Sequence, residues 1–132
     1  MILPEPYVQP GPANDEIWYT SSDGNIVTPY STSSLPTIVS NTYVNGKGVI
    51  KFETDVTRIN RNAFRKCTSL TSVTIPDSVT TIWDWVFYQC SSLTSISYTG
   101  TIAQYNAITK GNNWHNGVSA TVVHCTDGDT PI

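Results

Sequence analysis

V-T-R-I-N-R-N-A-F-R-K-C-T-S-L-T-S-V-T-I-P-D-S, residues 56–78, is followed at once by V-T-T-I-W-D-W-V-F-Y-Q-C-S-S-L-T-S-I-S-Y-T-G-T, residues 79–101. Laid one over the other, Val56 falls on Val79, Ile59 on Ile82, Ala63 on Val86 and Phe64 on Phe87. Cys67 then falls on Cys90, Leu70 on Leu93, Val73 on Ile96 and Ile75 on Tyr98. Apolar positions are kept while polar ones drift, with a period of 23 residues. A fixed period of this size points to a solenoid, whose units bury their faces only against one another.

Within each repeat, Leu70-Thr71-Ser72-Val73-Thr74-Ile75 alternates, which turns Val73 and Ile75 inward and Ser72 and Thr74 outward. Pro76 stops that strand. Residues 62–65 and 85–88 are too short for a stable helix, and one tight turn is expected at each. Like positions should meet across repeats, Phe64 with Phe87 and Leu70 with Leu93. Cys67 and Cys90 share a position, where a buried thiol acts as a small hydrophobe. Cys125 falls outside the phase and is expected to fill the end of the core, and three cysteines exclude a full disulfide framework.

The string A-F-x-x-C-x-S-L-T-S-V-T-I-P-x-S-V-T-x-I, residues 63–82, resembles the leucine-rich repeat of the BspA-like bacterial proteins. The resemblance covers Val56 to Thr101. It implies a right-handed solenoid with a short parallel strand per turn, a role in adhesion or recognition at a surface, and no catalytic residues. Two departures stand out. Asn60 and Trp83 occupy positions where that family usually has Gly, and only two full repeats are present.

Outside the repeats the chain reads as capping. Residues 1–14 hold Pro4, Pro6, Pro10 and Pro12, the composition of an extended arm. Residues 15–55 read as a hairpin-rich cap: Glu16 to Thr20 a strand, Asp23-Gly24 a turn, and Ile26 to Thr28 the returning strand. Thr37 to Val44 and Val49 to Phe52 form a second hairpin across Asn45-Gly46-Lys47-Gly48. Ile50 and Phe52 lie one period before Val73 and Ile75, so that last strand should begin the ladder. Residues 102–132 read as a C-terminal cap. It comprises a short amphipathic helix over Ile102 to Lys110 stopped by Gly111, a loop carrying Trp114, a strand over Ala120 to His124, and a loose acidic tail from Asp127.

Size allows one domain, and charged residues make up only 13% of it, so polarity rests on Ser, Thr and Asn. A net charge of −3 gives no general attraction to nucleic acid or anionic membranes. The start M-I-L-P-E-P-Y has neither a basic flank nor an apolar run, so it reads as no signal peptide and no membrane anchor. Two settings fit: the surface of a bacterium if a signal was trimmed, or a virion if the chain starts naturally at Met1.

No catalytic constellation is visible, and the chain reads as a non-enzyme with no cofactor. His115 and His124 lack spaced metal-ligand partners, and Asp127-Gly128-Asp129 opens like a calcium loop without its remaining ligands. Lys47, Lys51, Arg58, Arg61, Arg65 and Lys66 fall in one short span against only Glu53 and Asp55, and should lie on one turn. Arg61 and Arg65 are candidate contacts to an acidic partner. Trp83, Trp85 and Tyr88, flanked by Asp84, are a candidate aromatic patch: the preceding repeat has Asn60 and Asn62 under the two tryptophans, so packing does not demand aromatics there. The expected function is non-catalytic recognition of a protein or glycan partner. The alternative is a structural subunit of an assembly, such as a phage tail, fibre or capsid-decorating protein, with copies of the chain as neighbours.

Overall fold

A computed structural model describes residues 11–132, so residues 1–10 of the expected proline-rich arm lie outside it. The strands are β1 (Glu16–Ser21), β2 (Ile38–Val44), β3 (Lys47–Phe52), β4 (Arg58–Ile59), β5 (Leu70–Ile75), β6 (Thr81–Ile82), β7 (Ser95–Tyr98), β8 (Thr109–Lys110), β9 (Val122–Cys125) and β10 (Gly128–Pro131). One short helix, α1 (Ile102–Ala107), stands between β7 and β8. The seven-stranded sheet runs β10-β9-β7-β5-β1-β3-β2, and the smaller one runs β4-β6-β8. The chain is mostly β, and neither sheet closes into a barrel.

The repeat becomes geometry through parallel pairing. Val73 lies beside Ile96 and Ile75 beside Tyr98, and Ile59 lies beside Ile82, each pair one period apart. Phe64 and Phe87 stack with ring centroids 5.6 Å apart and planes 9° from parallel. Val56, Val79, Ile59, Leu70 and Leu93 have no exposed surface. Apolar burial of this kind is the main stabilising term, about 25 cal/mol per Å² of surface removed from water.

The tight turns stack as well. Asn62, Phe64 and Lys66 donate their N–H groups to the carbonyls of Asp84, Val86 and Tyr88, at 3.2, 2.9 and 2.7 Å. Trp85, Phe87 and Gln89 donate in the same way to Asn112, Trp114 and Asn116, at 3.3, 2.8 and 2.8 Å. Stacking therefore continues past Thr101 into a third turn, which the sequence period hides because α1 lengthens the spacing: Ile96 pairs with Val123, and Thr81 with Thr109. At one inward position Ala63, Val86 and Trp114 follow one another, all buried, so the side chain grows toward the end of the stack. Trp114 meets Phe87 edge-on at 6.3 Å.

The two ends of this turn ladder differ. At the first turn, Tyr30 N–H donates to Ala63 O at 2.8 Å and the Ser34 hydroxyl donates to Arg61 O. At the last turn, the N–H groups of Asn113, His115 and Gly117 have no acceptor among the described residues. A depression of about 510 Å³ lies there, lined in part by Asn113, His115, Gly117 and Ile132.

Several expectations are corrected. Ile26 to Thr28 forms no strand: the Tyr19 hydroxyl accepts the Val27 N–H at 3.1 Å, and Asn41 Nδ2 donates to the Val27 carbonyl at 2.9 Å, so side chains hold the segment instead of a ladder. β3 is in phase with the repeats but does not touch β5, because β1 runs antiparallel between them, pairing Ile17 with Ile50 and Tyr19 with Val73. Gly48 makes room for this, since a Cβ there would meet the Tyr19 ring at 2.3 Å. The helix ends at Ala107, not Lys110, because Thr109 and Lys110 pair with β6. The strand expected at Ala120–His124 is β9, displaced to Val122–Cys125, and one further strand follows it.

The acidic tail is ordered as β10, antiparallel to β9. Asp127 there accepts the Ile102 N–H at 2.8 Å, and Asp129 pairs with His124 at 2.7 Å. Cys90 is fully buried, with Sγ donating to Phe64 O at 2.9 Å, whereas Cys67 keeps partial exposure. Burial pushes the two thiols up to about 12 and about 11 respectively. Cys125 is only partly buried, and all three cysteines are free thiols.

Candidate interaction site

The tight turns place the candidate residues. Bonds from Ala63 N–H to Asn60 O, Arg65 to Asn62 and Tyr88 to Trp85 span three residues each, at 3.2, 3.2 and 3.3 Å. To close so sharply, each turn passes twice through the left-handed region: Asn62 and Lys66 at φ 66° and 57°, then Trp85 and Gln89 at 59° and 58°. Ala63, Phe64, Val86 and Phe87 are thereby directed into the core, while Asn62, Arg65, Trp85 and Tyr88 retain solvent exposure. Asn tolerates positive φ because its short side chain bonds locally, whereas a bulky residue there is a genuine outlier. Asn62 and Asn113 hold the matching positions at φ 66° and 55°, yet the middle turn carries Trp85.

The two candidate sets, basic and aromatic, meet on this surface. Arg61 Nη2 donates to Asp84 Oδ2 at 3.3 Å, and its guanidinium carbon lies 5.7 Å from the Trp85 ring centre. The Arg65 guanidinium carbon lies 5.3 Å from the Tyr88 ring, 5.8 Å from Trp85 and 5.9 Å from Tyr30. These distances are within the range of cation–π attraction. Trp83 is 43% exposed and Tyr30 59%.

Asp84 is the hinge pin of the arrangement. Its second oxygen accepts the Asn112 N–H at 2.9 Å, which ties the third turn to the second. Gly111 permits the approach, because a Cβ there would meet Asp84 Oδ1 at 2.3 Å and its backbone nitrogen at 2.5 Å. Arg65 differs from Arg61 in having no carboxylate partner among the described residues. Its Nη1 makes one long bond to Asn62 Oδ1 at 3.4 Å, and its buried Nε has no acceptor. A planar cation held among three rings with donors to spare is suited to a carboxylate or a polar ligand plane.

The basic span does not lie on one turn as expected. Lys51 pairs with Asp15 at 2.9 Å, and Lys47 Nζ sits 3.2 Å over the Trp18 ring, both in the large sheet. Only Arg61 and Arg65 join the aromatic patch. Tyr30 is the member that the sequence does not announce, since it sits in a Ser/Thr loop with no periodic signal. Among the described residues, no group of three or more His, Cys, Asp or Glu side chains is placed to hold a metal ion. No described helix is long and apolar enough to cross a membrane.

The family model described as the BspA-type leucine-rich repeat region (6 copies) matches residues 28–111, which takes in every member of this patch. No curated protein and no solved structure matches the chain.

Proposed function

The chain belongs to the BspA-type leucine-rich repeat family, a surface repeat module often used in protein–protein interaction, and from that premise we propose that its stacked turns form a short solenoid displaying one recognition site. The site is the surface of Tyr30, Arg61, Arg65, Trp83, Trp85 and Tyr88, and its task is non-catalytic binding of a protein partner. The family is generally a non-catalytic repeat domain. The setting proposed with this function is the outer surface of a bacterial cell, where such repeats often occur.

One observation carries the reading: Trp85 stands at φ 59°, where both stacked counterparts are Asn. A conformation that disfavours a large side chain holds one, beside Arg65, and strain retained at a surface position argues for a ligand rather than for packing. Aromatic and arginine side chains are also the residues that dominate interface energetics.

The test compares wild type with Trp85→Asn and Arg65→Ala. Each labelled protein is applied to intact bacterial and host cells, with a glycan array alongside. Binding to cells that either substitution reduces at least tenfold supports the site. Cell binding indifferent to both places recognition elsewhere, and array binding lost in the same variants reassigns the ligand to a glycan.

A further inference from the structure

The large sheet ends on one side at β10 and on the other at β2, and the two edges are built differently. β10 has four residues and carries Asp129 and Pro131, features that keep an edge strand from pairing further. β2 has seven, Ile38-Val39-Ser40-Asn41-Thr42-Tyr43-Val44, with no charge and no proline. Val39 and Val44 are 57% and 62% exposed.

The hairpin fixes which backbone groups of β2 are free. Asn45 and Gly46 both have positive φ, 53° and 76°, which makes Val44 and Lys47 the bonded pair that closes a two-residue turn. Bonded and non-bonded pairs alternate along an antiparallel ladder. Thr42 with Val49 and Ser40 with Lys51 are therefore bonded, while the N–H and C=O groups of Asn41 and Tyr43 point away from β3. The irregularity between Ile38 and Ser40 confines regular pairing to residues 40–44.

We infer that β2 pairs antiparallel with β2 of a second copy of this chain, about a two-fold axis through Thr42. That register sets Asn41 opposite Tyr43 of the second copy and Tyr43 opposite its Asn41, so the outward groups on each strand find complements at the same spacing. Thr42 then faces its own counterpart at the closest cross-strand position, a favourable pair of β-branched hydroxyl side chains. Val44 lies opposite Ser40 of the other copy, beside its Val39, and covers the exposed apolar surface of the edge. With no charge on the strand, two identical edges meet without repulsion. The chain's own first residues are poor competitors, because Pro4, Pro6, Pro10 and Pro12 have no N–H to donate.

Sedimentation equilibrium of the full chain over a micromolar dilution series tests this, with amide exchange of Asn41 and Tyr43 followed over the same series. The expected result is a monomer–dimer equilibrium in which those two amides exchange more slowly as dimer accumulates. Thr42→Lys sets two ammonium groups face to face on an exposed position and should weaken the dimer at least tenfold while leaving the melting temperature of the dilute, monomeric protein in place. A wild type that stays monomeric throughout, a Thr42→Lys variant that dimerises as wild type does, or Asn41 and Tyr43 amides protected at the highest dilution would each overturn the assignment.

Discussion

Replacing Trp85 by Asn should leave the fold standing, and the size of that effect can be worked out. A left-handed conformation costs an ordinary L-residue roughly 1–2 kcal/mol, and Asn avoids much of it. Trp85 at φ 59° bears that cost, while Asn62 and Asn113 adopt the same conformation in the neighbouring turns. Against the relief stands the loss of ring contacts to the Arg61 and Arg65 guanidiniums, 5.7 and 5.8 Å away. Such contacts contribute about 0.5–1 kcal/mol each at exposed sites. The two effects nearly cancel. Stability should therefore change by no more than about 1 kcal/mol, a shift of only about 3–5 °C for a chain of this size. If the indole instead packs the turn, the change resembles loss of a core aromatic, about 3–5 kcal/mol. Thermal denaturation followed by far-ultraviolet circular dichroism separates the two, and a Trp85→Asn midpoint more than about 10 °C below wild type would refute the reasoning.

The remaining predictions concern the scaffold. Phe87→Ala should cost about 3–5 kcal/mol and more than Phe64→Ala, because Phe87 touches an aromatic on both sides, Phe64 and Trp114; equal midpoints in chemical denaturation would contradict the stacking. Asp127→Ala should cost about 1 kcal/mol by freeing the Ile102 N–H at the start of α1, readable as a lower denaturation midpoint with an unchanged slope. Alkaline titration should destabilise the fold. Burial raises Cys90 from 9.0 to about 12 and Tyr105 from 10.0 to about 12, so the native state holds protons that the unfolded chain releases. Their stabilising contribution is complete below about pH 9 and is lost as pH rises toward about 12, with a limiting slope of about 1.4 kcal/mol per pH unit per group. Cys90→Ala should flatten that decline, and an unchanged slope would remove Cys90 from the account.

The parallel core was legible because its positions repeat: Val73 predicts Ile96 and Phe64 predicts Phe87 without any knowledge of the chain beyond period and polarity. The third turn was not, since α1 shifts the next register and the ring position passes from Phe87 to His115. Nor could a period place β1, whose side chains alternate like those of any strand but whose two neighbours lie far along the chain. The tail misled through its composition: Asp127 and Asp129 read as solvated acids, yet one caps a helix and the other meets His124. Of the patch, Arg61, Arg65, Trp83, Trp85 and Tyr88 were named from residue type and phase. Trp85 and Tyr88 converge on Arg65, and Arg61 on Trp85, while Trp83 makes none of these contacts; Tyr30 closes the group as a further wall through the loop that crosses the first turn.

That loop also gives the molecule a direction of growth. Tyr30 and Ser34 occupy the carbonyls on one side of the turn ladder, whereas the Asn113, His115 and Gly117 amides stand ready on the other. An engineer lengthening this protein would therefore splice new coils after Cys125 and delete Gly128–Pro131, whose antiparallel pairing plugs the growing sheet. In the turn ladder the opposite end has its carbonyls already taken, so coils added in sequence would lengthen the stack from this end.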